Sequence, residues 1–136
     1  RLTMKNVLLL SLLALAFAAC QHSDDDQVSN PNTAIPTGSQ WKVTYFFDKD
    51  EDETSDFSGY TFEFKSGGVF VANVPGGGTV EGTWQQTSSK LILVIPGTKP
   101  LEELNDDWLI LEKNDDTIKL RDDNDEHLEE LHFERI

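Results

Sequence analysis

The sequence predicts an all-β fold: a single antiparallel up-and-down β-barrel of about eight strands over residues 40–136. Three observations carry this expectation. Short runs of alternating apolar and polar residues recur at nearly even spacing, the period-2 pattern of half-buried strands. Clusters of Asn, Asp and Gly punctuate them, as tight turns require. Finally, eight strands joined by hairpins leave two unpaired edges unless the sheet closes on itself.

The elements follow in order. "WKVTYFFD" is the first strand, with Trp41, Val43, Tyr45 and Phe47 expected on one face. "YTFEFKS" follows, turning Tyr60, Phe62 and Phe64 inward and Thr61, Glu63 and Lys65 to water. Ser66, Gly67 and Gly68 form a tight turn into "VFVANV", and "PGGG" at 75–78 a looser one into "TVEGTWQQT", where Val80, Gly82 and Trp84 share a face. "KLILVI", "DWLILEK", "TIKLRD" and "LEELHFERI" complete the set, connected through Asn/Asp turns at 105–107, 114–116 and 122–125. In "TKPLEELND", Thr98 as cap, an early Pro100, and Leu101 and Leu104 on one side predict a single short helical turn near Pro100 to Leu104.

The chain ahead of this domain has a different character. Residues 1–19 carry Arg1 and Lys5, no acidic residue, and the apolar run "NVLLLSLLALAFAA". That run is shorter than the roughly 20 residues a spanning helix needs, and it ends in small residues, so it reads as a cleaved export signal. Cys20, the sole cysteine, has no internal disulfide partner. "AFAAC" resembles the lipobox of bacterial lipoproteins, with Phe17 in place of the usual Leu. The resemblance implies acylation of Cys20 and anchoring to a membrane through its acyl chains. Residues 20–39, polar and proline-containing, read as an acidic disordered tether. "SDDD" at 23–26 resembles the acidic signal that sends some Gram-negative lipoproteins to the outer face of the outer membrane. It implies surface display, with a periplasm-facing anchor as the alternative.

The domain itself resembles the small lipocalin-like domains of bacterial lipoproteins. The likeness rests on "TGSQWKV" opening the first strand, an aromatic second strand, "GTW" near the middle, and a "W-L-I" strand before the last hairpin. Two residues separate Gly38 from Trp41 where the usual lipocalin pattern has one, and the domain is shorter than a full lipocalin. The resemblance implies a small-ligand module using residues such as Trp41, Tyr45, Phe62, Trp84 and Trp108. The plainer expectation for the same aromatics is core packing.

Charge and motifs narrow the function. With 11 basic and 25 acidic residues the net charge is −14, and loss of residues 1–19 would bring it to −16, so nucleic acid is excluded as a partner. Asp48, Asp50 and Asp52 match the opening of a calcium loop, but Glu53 and Gly59 stand where that loop needs Gly and Glu, so any Ca2+ binding would be weak and no cofactor is expected. His127 and His132 are expected on opposite faces. The other carboxylates are expected in water-facing positions without raised pKa values. No catalytic motif is present, so no enzyme activity is expected. Three readings follow: a module for a small apolar ligand, an interaction subunit of a surface protein complex, or a carbohydrate-binding accessory.

Overall fold

The computed structural model describes residues 34–136. The predicted export segment, Cys20 and the first part of the tether lie outside the described residues. The chain forms nine strands: β1 (Gln40–Asp48), β2 (Glu51–Asp52), β3 (Thr61–Lys65), β4 (Val69–Asn73), β5 (Thr79–Gln86), β6 (Lys90–Val94), β7 (Asp106–Lys113), β8 (Thr117–Arg121) and β9 (Glu129–Arg135). β1 and β3 to β9 are successive antiparallel neighbours, and β1 pairs again with β9 from Trp41 to Asp48. Eight strands therefore close into the predicted barrel, a form compatible with a lipocalin-like fold. β2 is an addition, two residues folded back onto the end of β1.

Helical structure among the described residues is limited to two 3-10 turns, Thr54–Phe57 and Leu101–Leu104. The second is the expected helical turn. Thr98 supports it differently from a side-chain cap: its carbonyl accepts from the Glu102 amide at 3.3 Å, and no side chain caps the turn. Among the described residues no helix is long and apolar enough to cross a membrane.

The meander divides the connections between two ends. At the near end, where residues 34–39 lead into β1, lie the turns β3–β4, β5–β6 and β7–β8. Gly67 and Gly68 both take positive φ there, which a tight hairpin matched to strand twist demands and other residues resist. At the far end lie the β1–β3 excursion, the β4–β5 turn, the long β6–β7 connection and the β8–β9 turn.

Between the ends the barrel is solid. Trp41, Phe62, Phe64, Phe70, Trp108 and Phe133 are all fully buried. Phe133 meets Phe62 and Phe64 edge-on, with centroids at 5.5 and 5.8 Å, an arrangement that suits ring quadrupoles. Ile35 closes the near end and Phe57, Leu101 and Leu104 the far end, all within the same core. Burial of each such side chain stabilises the fold by about 1.5–3 kcal/mol. Lys113 is the one charged residue buried among the described residues, and burial pushes its ammonium below its ordinary pKa.

Two strands depart from simple alternation: β7 shifts register against β8 between Ile110 and Glu112, and β1 does so with a larger consequence. The β1–β9 register shifts between Val43 and Tyr45, a β-bulge whose extra residue reverses which side chains face inward. Trp41, Val43 and then Phe46 point into the core. Tyr45 and Phe47, expected beside Trp41, stand on the outer face instead, their rings 6.3 Å apart, with Tyr45 4.9 Å from the His132 ring.

Candidate functional site

The five aromatics singled out from sequence separate into three environments. Trp41, Phe62 and Trp108 are sealed in the core. Trp108 donates its indole N–H to the Leu104 carbonyl at 2.9 Å, while Trp41 Nε1 has no partner. Tyr45 is outside. Trp84 borders a groove, and the folded elements explain why.

β5 ends at the near end, where Trp84 is half-buried. Its ring stands edge-on to Phe64, at 5.5 Å and 85°, and its Nε1 donates to the Lys65 carbonyl at 2.9 Å. Its amide donates to the Gly68 carbonyl at 2.9 Å. A Cβ on Gly68 would lie 3.2 Å from the Trp84 carbonyl oxygen, so glycine keeps this turn close. Across the opening, the Ile35 amide donates to Gln86 Oε1 at 3.1 Å, holding the incoming chain over the barrel mouth. Between them lies a groove of about 480 Å³ lined by Ala34, Thr37, Trp84, Gln86 and the Gly67–Gly68 turn. Its size falls in the range of about 300–1,000 Å³ typical of small-molecule sites.

The far end gathers carboxylates. Asp48, Asp50 and Asp52 do not converge as a calcium loop would require, because 48 and 51 pair as a hairpin. Asp50 sits exposed in its turn. Asp52 instead accepts from the Thr54 hydroxyl at 2.6 Å and amide at 3.0 Å, which hold its pKa below the ordinary value. Asp48 approaches Glu53 and Glu103, with one oxygen of each within 4.8 Å of the others, and Asp106, Asp122 and Glu129 form a second such group. Sequence spacing does not reveal either group, since each brings together strand ends and connections distant in the chain. Each offers three carboxylates where a hard cation takes about six to eight oxygens, so neither completes a shell.

This clustering overturns the expectation of unperturbed carboxylates. Glu129 is pushed up to about 7, chiefly by burial and then by the neighbouring Asp48, with Asp122 and Asp106 adding repulsion. Asp106 and Glu53 are also raised, each mainly by burial. On the outer face, His132 Nε2 lies 2.6 Å from Glu130 Oε1, and His127 sits in the β8–β9 turn, so the two histidines share no site.

A pH effect follows. Folded Glu129 keeps its proton up to about pH 7, whereas the unfolded chain releases it near 4.5, so stability falls as pH rises from about 4.5 to 7 and levels off above. Glu129→Gln should flatten that decline and raise stability at pH 8 by on the order of 1 kcal/mol, a figure reduced for solvent screening at this partly open site. Urea midpoints between pH 4.5 and 8, with EDTA present, measure both. An unchanged slope would remove Glu129 as its source.

Comparison with known protein families, characterised proteins and solved structures gives no match for this chain. The class rests on the fold itself, a closed antiparallel barrel with a filled interior.

Proposed function

We propose that the chain is an exported lipoprotein, anchored by acyl chains on Cys20 at the outer membrane and displayed at the cell surface, and that its barrel is a non-catalytic module for a small apolar ligand. The observation that carries the ligand reading is the Trp84 groove. The interior is occupied by side chains, so a ligand needs space at a wall or an end. Trp84 supplies an aromatic surface there, and Ala34 and the Gly67–Gly68 turn add no charge. The export and anchor readings are supported by the sequence of residues 1–26.

The neutral fluorophore N-phenyl-1-naphthylamine should bind saturably with a blue-shifted emission, and Trp84→Ala should weaken it at least tenfold. Of the three tryptophans, Trp41 and Trp108 are buried, so acrylamide should quench mainly Trp84, and bound ligand should reduce that quenching. Binding untouched by Trp84→Ala would place the ligand elsewhere. Cys20→Ala should abolish lipid labelling and membrane fractionation, and persistence of the membrane-bound form would exclude the anchor.

A further inference from the structure

A second hollow lies along the β1–β3 seam, where the barrel has its shortest ladder. β1 pairs with β9 from Trp41 to Asp48 but with β3 only at Gln40 and Trp41. Beyond Trp41 the two strands part, and residues 54–60 fold into the gap. Thr54 anchors this segment by accepting from the Phe46 amide at 2.9 Å, and Phe57 inserts into the core against Phe46, with centroids at 5.3 Å.

The segment leaves a depression of about 370 Å³ along the seam. Val43 and Phe57, both buried, form its apolar floor. Its walls carry the hydroxyls of Ser55, Ser58, Tyr60 and Thr61, and Lys42 contributes to its lining. Thr61 Oγ1 already accepts from Asn73 Nδ2 at 2.9 Å. The side-chain polar groups of Ser55, Ser58, Tyr60 and Lys42 have no hydrogen-bond or ion-pair partner among the described residues. No Asp or Glu side chain lines the hollow, although the chain has 25 of them and "DKDEDETSD" runs into it.

Three ligand classes fit this lining poorly. A divalent cation needs several carboxylate oxygens, and no Asp or Glu side chain supplies them here. A strongly anionic group needs more than one lysine in a domain of this charge. A purely apolar ligand would strand the hydroxyls without partners, at a cost. A ligand with an apolar face and a rim of groups that both donate and accept suits it, because each hydroxyl here does both.

We propose that the seam hollow binds a pyranose sugar, its C–H face on the Val43–Phe57 floor and its hydroxyls on Ser55, Ser58, Thr61 and Lys42. This site is separate from the Trp84 groove, and the two stand or fall independently.

The test is saturation-transfer-difference NMR on the full chain in a detergent without a sugar headgroup. The probes are methyl β-D-glucoside, methyl β-D-galactoside and methyl α-D-mannoside at millimolar concentration. At least one should receive saturation on its ring protons. Ser58→Trp, which fills an exposed position of the hollow, should abolish that transfer with the melting temperature retained. Lys42→Met, on the exposed outer surface, should weaken binding about three- to tenfold. Trp84→Ala should leave it intact. Absence of transfer to all three sugars, or transfer that survives both Ser58→Trp and Lys42→Met, overturns the proposal. Loss of transfer with Trp84→Ala would place the sugar in the other groove and overturn it equally.

Discussion

Gly82→Ala is expected to destabilise the barrel by about 3 kcal/mol or more, a large part of the roughly 5–15 kcal/mol that holds a domain folded. The position does not look demanding: Gly82 lies within β5 with an ordinary φ, between Val80 and Trp84 on the inward side. The demand comes from the neighbouring strand. β5 and β6 pair only from Gln86–Leu91 to Thr83–Val94, after which Ile95 is drawn into the core. An alanine Cβ would lie 2.1 Å from the Val94 carbonyl oxygen and 2.7 Å from the Ile95 Cα. Both are backbone atoms, so relief requires moving β6 and not merely turning a side chain. Gly77→Ala is the control, since its added Cβ meets nothing within 4 Å and only its φ of 108° is unfavourable. That strain is worth about 1–2 kcal/mol. Denaturant unfolding of both variants separates the effects; equal losses would mean that the close approach at Gly82 does not matter.

The same comparison shows what was legible in the sequence. Alternation identified all eight barrel strands, because inward residues such as Phe62, Phe64, Leu91, Leu93, Ile118 and Leu120 obey a strict period of 2. Closure followed from the edge argument. The bulge after Val43 was not legible, because "WKVTYFFD" offers an apolar residue at nearly every position from Val43 to Phe47 and either register satisfies the pattern. The pattern therefore places Tyr45 on the wrong face. β2 leaves no trace in the pattern because its two residues, Glu51 and Asp52, carry no apolar signal at all.

The candidate sites were less legible than the fold, and for a different reason. Trp84 could be singled out, yet its groove depends on Ile35 and Gln86 meeting across 51 residues. The carboxylate groups also depend on contacts between connections. Asp48 fits a local i, i+2, i+4 pattern, but its actual neighbours are Glu53, Glu103 from the β6–β7 connection and Glu129 opposite it on β9, the last two more than 50 residues away. The seam hollow arises from a pairing that stops after two residues, and local sequence patterns do not reveal where a ladder stops.

Asn105→Ala should produce the second large loss, about 2–3 kcal/mol, through bonds that its turn-like sequence does not suggest. "NDD" reads as a turn in which Asn bonds its own local backbone. Instead Asn105 reaches ten residues back: its Oδ1 accepts from the Ile95 amide, and its Nδ2 donates to the Ile95 carbonyl at 2.9 Å. Ile95 is buried, so truncation leaves both of its backbone groups without their partner, each costing about 1–3 kcal/mol before relaxation. Asn105→Asp keeps the acceptor and loses the donor, so it should fall between wild type and alanine. The clamp also has a remote consequence. Residues 95–105 carry Glu103 and lead directly into Asp106, both members of the far-end carboxylate groups. If the clamp holds that connection in place, its loss lets Asp106 withdraw from Glu129 and removes the smallest of the repulsions that raise the Glu129 carboxyl, leaving burial and Asp48 in force. Asn105→Ala should therefore show a slightly shallower decline in stability between pH 4.5 and 7 as well as a lower midpoint. A lower midpoint with the wild-type pH slope would show that Asn105 supports the fold without organising the far end.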